Sequence, residues 1–165
     1  MNVDLAPKFF GSLTNSLQYK SFSLGFTLAV TNKMAKTLRG QSLFMPGVYN
    51  FNPPLEALGR WQKPGDITDF PKATAGALGL ISAYVFGQSS GAYQRIYYVR
   101  LQNLNASYNF TKQLCERIRV KDMKLSFQAQ NLFTFSNYKH LDPENSSIDK
   151  LPILKVFNIQ LAITF

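Results

Sequence analysis

Four carboxylates and one indole are the side chains of this sequence best suited to hold a ligand. Asp66 and Asp69 lie three residues apart in "KPGDITDF", and Asp142 and Glu144 flank Pro143 in "HLDPEN". Carboxylate oxygens are calcium ligands, but a calcium loop spaces several of them at alternate positions within one short turn. Neither pair has that density, and solvated loop acids are the simpler reading. Trp61, the one tryptophan, could stack on a sugar ring. Packing within its own loop is the plainer role for so large an aromatic surface.

Cys115 is the one cysteine, so no disulfide closes within the chain. It lies in a charged turn and reads as a structural thiol. His140, the one histidine, has no second metal ligand at a recognisable spacing. There is no nucleophile beside a base, no phosphate-cradling glycine loop and no metal cluster. The sequence reads as a non-enzyme with no catalytic residues, metal or cofactor.

The elements that position these residues are strands. The 165 residues include 14 Phe and 8 Tyr, types that suit a pleated, half-buried surface. With a mean hydropathy of −0.11 and no window of about 18 consecutive apolar residues, no transmembrane helix is expected. The net charge of +9 raises nucleic-acid binding. The basic groups are short, as in "CERIRVKD", with no recognition module, so loop charge is the expectation and no nucleic-acid partner is inferred.

Five segments alternate with period two. In "VFNIQLAITF", Phe157, Ile159, Leu161, Ile163 and Phe165 share one face, and Asn158, Gln160, Ala162 and Thr164 the other. From Met123, Leu125, Phe127, Ala129 and Phe133 oppose Lys124, Ser126, Gln128 and Gln130, with Asn131 the polar exception on the apolar side. Phe22 to Val30 obeys the same rule, and Phe9 to Tyr19 obeys it less strictly. In "IYYVRLQNLNASYNF" the apolar residues are odd-numbered early and even-numbered late. The slip near Gln102 and Asn103 predicts one extra residue in that strand, a β-bulge.

The polar face is mostly Ser, Thr, Asn and Gln. That composition suits a wet lumen, and strands of about 9 to 11 residues with apolar-out, polar-in alternation mark a transmembrane β-barrel. Aromatics near strand ends fit its interfacial girdles. The connections alternate short and long. "YKS" is tight, residues 32–94 form a Gly- and Pro-rich connection, "TKQLCERIRVKD" is shorter, and "SNYKHLDPENSSIDKLP" is longer again. Such barrels have short periplasmic turns and long extracellular loops. Residues 32–94 are therefore expected outside, and the turns at Tyr19 to Ser21 and Thr111 to Asp122 in the periplasm.

At this point four motifs resemble SusC/RagA-like TonB-dependent outer-membrane transporters. "QNLFTFSNYKHLDPE" resembles their penultimate-strand signature, here Gln130, Asn131, Leu132 and Phe133, then Leu141, Asp142, Pro143 and Glu144. "APKFFGSLTNSLQYKSFSLGFTL" resembles a family hairpin, "RWQKPGDITDFPK" a family loop, and "YYVRLQNLNASYNF" a Tyr-x-Arg-Leu strand. The matches occur in family order across nearly the whole chain. The resemblance implies an all-β antiparallel barrel of about 22 strands in the outer membrane of a Gram-negative bacterium. It implies import of oligosaccharide or peptide, a plug, a SusD-like surface lipoprotein, and TonB reached through an N-terminal part. It also gives Phe165, a terminal aromatic on the apolar face, the part of an assembly signal.

This chain resembles only the last five strands of such a barrel, and "MNVDLAPKFF" carries no secretory signal. The smallest bacterial barrels have about eight strands, and an open sheet in lipid leaves backbone groups unpaired at a cost of several kcal/mol each. The expectation is a C-terminal portion of residues 1–165 that is incomplete without further strands. Two other readings stay open: a structural or interaction subunit of a larger envelope assembly, and a soluble glycan-binding β-domain.

Overall fold

The computed structural model describes residues 3–41, 45–48, 50, 52–139, 142–145 and 150–165. His140 and Leu141 lie outside the described residues. The elements are β1 (Phe9–Tyr19), β2 (Phe22–Lys36), α1 (Gly76–Gln88), β3 (Tyr93–Asn109), α2 (Lys112–Arg117), β4 (Asp122–Gln130), β5 (Thr134–Ser136) and β6 (Val156–Thr164). The strands form one antiparallel sheet in the order β1-β2-β3-β4-β6, with the three-residue β5 continuing beside β3. The sheet is not closed: β1 and β6 are its edges.

The chain divides into two compact units. The sheet unit holds residues 7–32, 97–137 and 152–165. Its register sorts side chains by type. Met123 pairs with Ile163, Leu125 with Leu161, Phe127 with Ile159 and Ala129 with Phe157. The alternate pairs are Lys124 with Ala162, Ser126 with Gln160 and Gln128 with Asn158. In the β1–β2 hairpin, Leu13 faces Leu28 and Leu17 faces Leu24, while Thr14 faces Thr27 on the other side, where their hydroxyls lie 3.2 Å apart. The hairpin closes through Lys20 and Ser21, with Lys20 at φ 52°, a positive φ that a turn this tight demands. Leu13, Leu17, Ile159 and Leu161 are all more than half exposed. A face this apolar and this open is larger than a water-soluble monomer normally leaves uncovered.

The β-bulge lies one strand away from its expected place. Below it, Asn103 pairs with Gln130; above it, Arg100 pairs with Thr134. Two residues of β3, Leu101 and Gln102, thus face three, Asn131 to Phe133, and receive or donate the intervening bonds (Asn131 N–H to Gln102 O, Leu132 N–H to Leu101 O, Leu101 N–H to Phe133 O). The extra residue belongs to the β4–β5 strand, where Asn131 has φ 55°. Asparagine tolerates this left-handed conformation better than most residues.

The second unit is built from residues 33–96 and 138–151 with the N-terminal segment. It contains an element that the alternation did not announce, the helix α1. Its sequence GALGLISAYVFGQ is apolar all round, so no period marks a face. Gly79, Ala83 and Gly87 form its buried stripe, while Leu78, Ile81, Tyr84 and Val85 are exposed. Gly79 is required there, because a Cβ would collide with the Thr74 carbonyl oxygen. Residues 138–151 are tied to the same unit by Tyr138, whose hydroxyl donates to the Lys36 carbonyl at 2.6 Å, and by Lys33, whose ammonium donates to the Glu144 carbonyl at 2.5 Å.

Candidate functional site

Within this second unit lies a cavity of about 690 Å³. One face of α1 forms its floor: Gly79, Ser82, Ala83 and Phe86 line it, at the i, i+3, i+4, i+7 spacing that puts helical side chains on one side. Met45, Pro46 and Val48 contribute one wall and Thr68 to Lys72 another. Trp61 lines the space as well, fixed by a backbone bond from its N–H to the Phe70 carbonyl at 2.9 Å. Met45, Phe70 and Ala83 are buried, so the deep surface is apolar.

The charge sits at Arg39. Its guanidinium lies 5.7 Å from the centre of the Phe86 ring and 3.2 Å from the Asp69 carboxylate. Arg39 is about one-third exposed and Asp69 almost fully so. An ion pair that open is weak. Lys72 adds a second cation to the lining. Two of the lining hydroxyls are engaged as donors: Thr68 Oγ1 donates to the Phe70 carbonyl and Thr74 Oγ1 to the Lys72 carbonyl, while Ser82 brings a third hydroxyl to the floor.

The four loop acids are apart in role. Asp66 accepts from the backbone N–H groups of Gln62 and Lys63 at 3.0 and 2.9 Å, closing the Pro64–Gly65 turn. Asp69 pairs with Arg39, and Asp142 accepts from the Glu144 N–H at 2.8 Å. Among the described residues no group of three or more acids, histidines or cysteines is placed to hold a metal. Trp61 and Asp69 therefore share a cavity that the sequence did not connect, and Arg39 and Phe86 were not singled out at all.

The signature residues fall in both units. In the sheet unit, Gln130 ends β4, Asn131 makes the bulge and donates from Nδ2 to the Leu154 carbonyl at 3.2 Å, and Leu132 bonds back to Leu101. Phe133 is exposed, with the Lys155 ammonium 5.8 Å from its ring centre. In the second unit, Asp142 and Glu144 surround the buried Pro143. Phe165 is exposed beyond β6. Arg100, of the Tyr-x-Arg-Leu motif, is buried and donates from Nε to Thr134 Oγ1 at 3.1 Å. The helix α2 buries Cys115.

The fold recurs in solved proteins. Over its whole length the chain superposes with a TM-score of 0.75 on the structure of the RagAB peptide importer in its open-open state, at 20% identity and over 18% of that chain. The closed-closed state gives a TM-score of 0.73. In sequence, TonB-dependent receptor P3 of Formosa agariphila is 26% identical over 141 residues, 86% of this chain and 13% of that protein. The chain has the fold of a segment of the RagAB importer. TonB-dependent receptor P39 of the same organism is 28% identical over 87 residues, 52% of this chain and 8% of that protein. No family model matches the chain. The chain spans less than a fifth of the length of the relatives it matches.

Proposed function

We propose that the chain is part of an outer-membrane, TonB-dependent transporter that imports nutrients, oligosaccharide or peptide, without catalysing a reaction. The observation that carries this reading is the sorting of the sheet. One face, represented by Leu13, Leu28, Leu125, Leu161 and Ile159, is apolar and open, and the other is lined by Ser, Thr, Asn and Gln. Lipid is the solvent that suits the first face and a wet lumen the second. The edges add to it, because unpaired strands in hydrocarbon need neighbours.

In this reading residues 32–94 and the turn through Asp142, Pro143 and Glu144 lie outside the cell. The turns at Lys20 and at α2 lie in the periplasm. The rest of the barrel and a plug complete the pore, TonB energises it, and a SusD-like lipoprotein shares the outer surface. The RagAB importer and the TonB-dependent receptors named above support these roles by likeness.

The test is purification from native envelopes, with intact-mass identification of the polypeptide carrying this segment and of its companions. The reading expects a heat-modifiable β-protein in the outer-membrane fraction, a co-purifying lipoprotein, and loss of growth on a peptide or glycan source when the coding region of the segment is deleted. Recovery in the soluble fraction would overturn it in favour of a soluble glycan-binding domain.

A further inference from the structure

We propose that the cavity over α1 is a ligand subsite for an apolar side chain of a peptide whose carboxylate is bound by Arg39. The inference rests on the transport reading and narrows it. Three observations select this occupant.

The first is the lining. Phe70, Met45 and Ala83 are buried and apolar, and Phe86 and Trp61 add aromatic faces. At about 690 Å³ the space is within the range of small-ligand pockets. The second is the state of the hydroxyls. Thr68 and Thr74 both spend their donors on backbone carbonyls, which leaves Ser82 as the one other hydroxyl among the described lining residues. A sugar ring presents many hydroxyls that each need a partner once water is excluded. An aliphatic or aromatic side chain presents none, and it fits this surface better.

The third is the charge. Arg39 has a planar fork of donors and can take a second carboxylate beside the first. Asp69, its present partner, is almost fully exposed and can yield to solvent at little cost. Lys72 lines the same space and adds attraction for an anion. The Phe86 ring under the guanidinium holds it at the cavity while the ligand exchanges. An apolar body with an adjoining carboxylate is the chemistry of a peptide ending in a large apolar residue.

The test uses the whole transporter that contains this segment, purified in detergent, and calorimetric titration. The probes are the peptides Ser-Gly-Ser-Gly-Phe, Ser-Gly-Ser-Gly-Ser, the C-terminal amide of the first, and maltoheptaose. The Phe-terminated acid is expected to bind at least about tenfold tighter than the Ser-terminated one, roughly 1.4 kcal/mol. Ser82→Phe, which fills the space from the floor, and Arg39→Gln should each remove most of that advantage. Ile81→Phe, on the exposed side of the same helix, should retain it and so serves as the folding control, with heat-modifiability checked in every variant. Binding of the amide should be insensitive to Arg39→Gln. Asp69→Asn should strengthen binding of the acid, since a competitor for Arg39 is gone; a purely structural ion pair would make it weaker. Unchanged peptide affinity in both Ser82→Phe and Arg39→Gln would overturn the subsite and leave peptide transport standing. Loss of maltoheptaose binding rather than peptide binding in Ser82→Phe would assign the cavity to a glycan and overturn the proposal. Failure of the wild type to bind any probe would sink the subsite and count against the transport reading as well.

Discussion

The phenol of Tyr138 donates to the backbone carbonyl of Lys36 at 2.6 Å, across 102 residues of chain. Tyr138 is buried, and it lies in the second unit, outside the strands read as spanning the membrane. Burial pushes its hydroxyl up from 10.0 to about 12, because removal from water disfavours the phenolate. A raised value means that folding favours the protonated form. The contribution is full below pH 10 and is lost as pH rises through about 12.

Tyr138→Phe keeps the ring and deletes the donor. A buried neutral hydrogen bond is worth about 1 kcal/mol net, and leaving the Lys36 carbonyl without this donor adds to the loss. Hydrogen exchange at residues 138–139 should therefore be faster in the variant at pH 8. In protease-nicking assays of the same loop, wild type and variant should converge above pH 12. A wild-type loop whose stability is flat from pH 9 to 12 would contradict the assignment.

Asn131 carries the bulge at φ 55°. Asn131→Gly should be tolerated in backbone terms and lose only the bond to the Leu154 carbonyl. Asn131→Val should cost about 1 to 2 kcal/mol more, because a β-branched side chain resists the left-handed region. The midpoint of urea unfolding in detergent, read by gel heat-modifiability, orders the three proteins as wild type, Gly, Val. If Val unfolds at the same urea concentration as Gly, the positive φ is not being held.

Leu161 and Gln160 are neighbours in β6 that face Leu125 and Ser126 of β4, respectively. Arginine on a lipid-facing site near mid-bilayer costs about 2 to 4 kcal/mol, while lumen sites are tolerant. Leu161→Arg should slow or block folding into liposomes, and Gln160→Arg should fold nearly as wild type. Equal penalties would mean that both faces meet the same solvent.

The faces of β1, β2, β4 and β6 were legible because period two is written directly in the side chains. The bulge was legible as an event, not as a location. A parity slip in β3 reports that one strand of a pair has an extra residue, and it does not say which. The local marker was Asn131, a residue type that accepts positive φ. Helix α1 was hidden because Leu78, Leu80, Ile81, Val85 and Phe86 leave no polar face. Its readable sign was the spacing of Gly79, Ala83 and Gly87 by four, which lets a helix pack closely. The cavity was hidden for another reason. Trp61 and Asp69 were each visible, but Arg39, Met45 and Phe86 join them only through the folding of the long connection.

Topology calls for a probe other than the native thiol. Cys115 lies in a charged turn and reads in sequence as a structural thiol, and it is buried in α2, where the Val120 N–H bonds back to its carbonyl at 3.0 Å. A thiolate-directed reagent needs access, so weak labelling of the wild type on intact cells says nothing about orientation. Glu116 is exposed one residue later. In a Cys115→Ala background, Glu116→Cys should react with a membrane-impermeant maleimide only after the outer membrane is permeabilised. Lys63→Cys, on the exposed turn between Gln62 and Asp66, should react on intact cells. The pair is read as a ratio of labelling before and after permeabilisation, which removes differences in intrinsic reactivity. Glu116→Cys labelled on intact cells with Lys63→Cys protected would invert the chain, and would move the cavity over α1 to the periplasmic side.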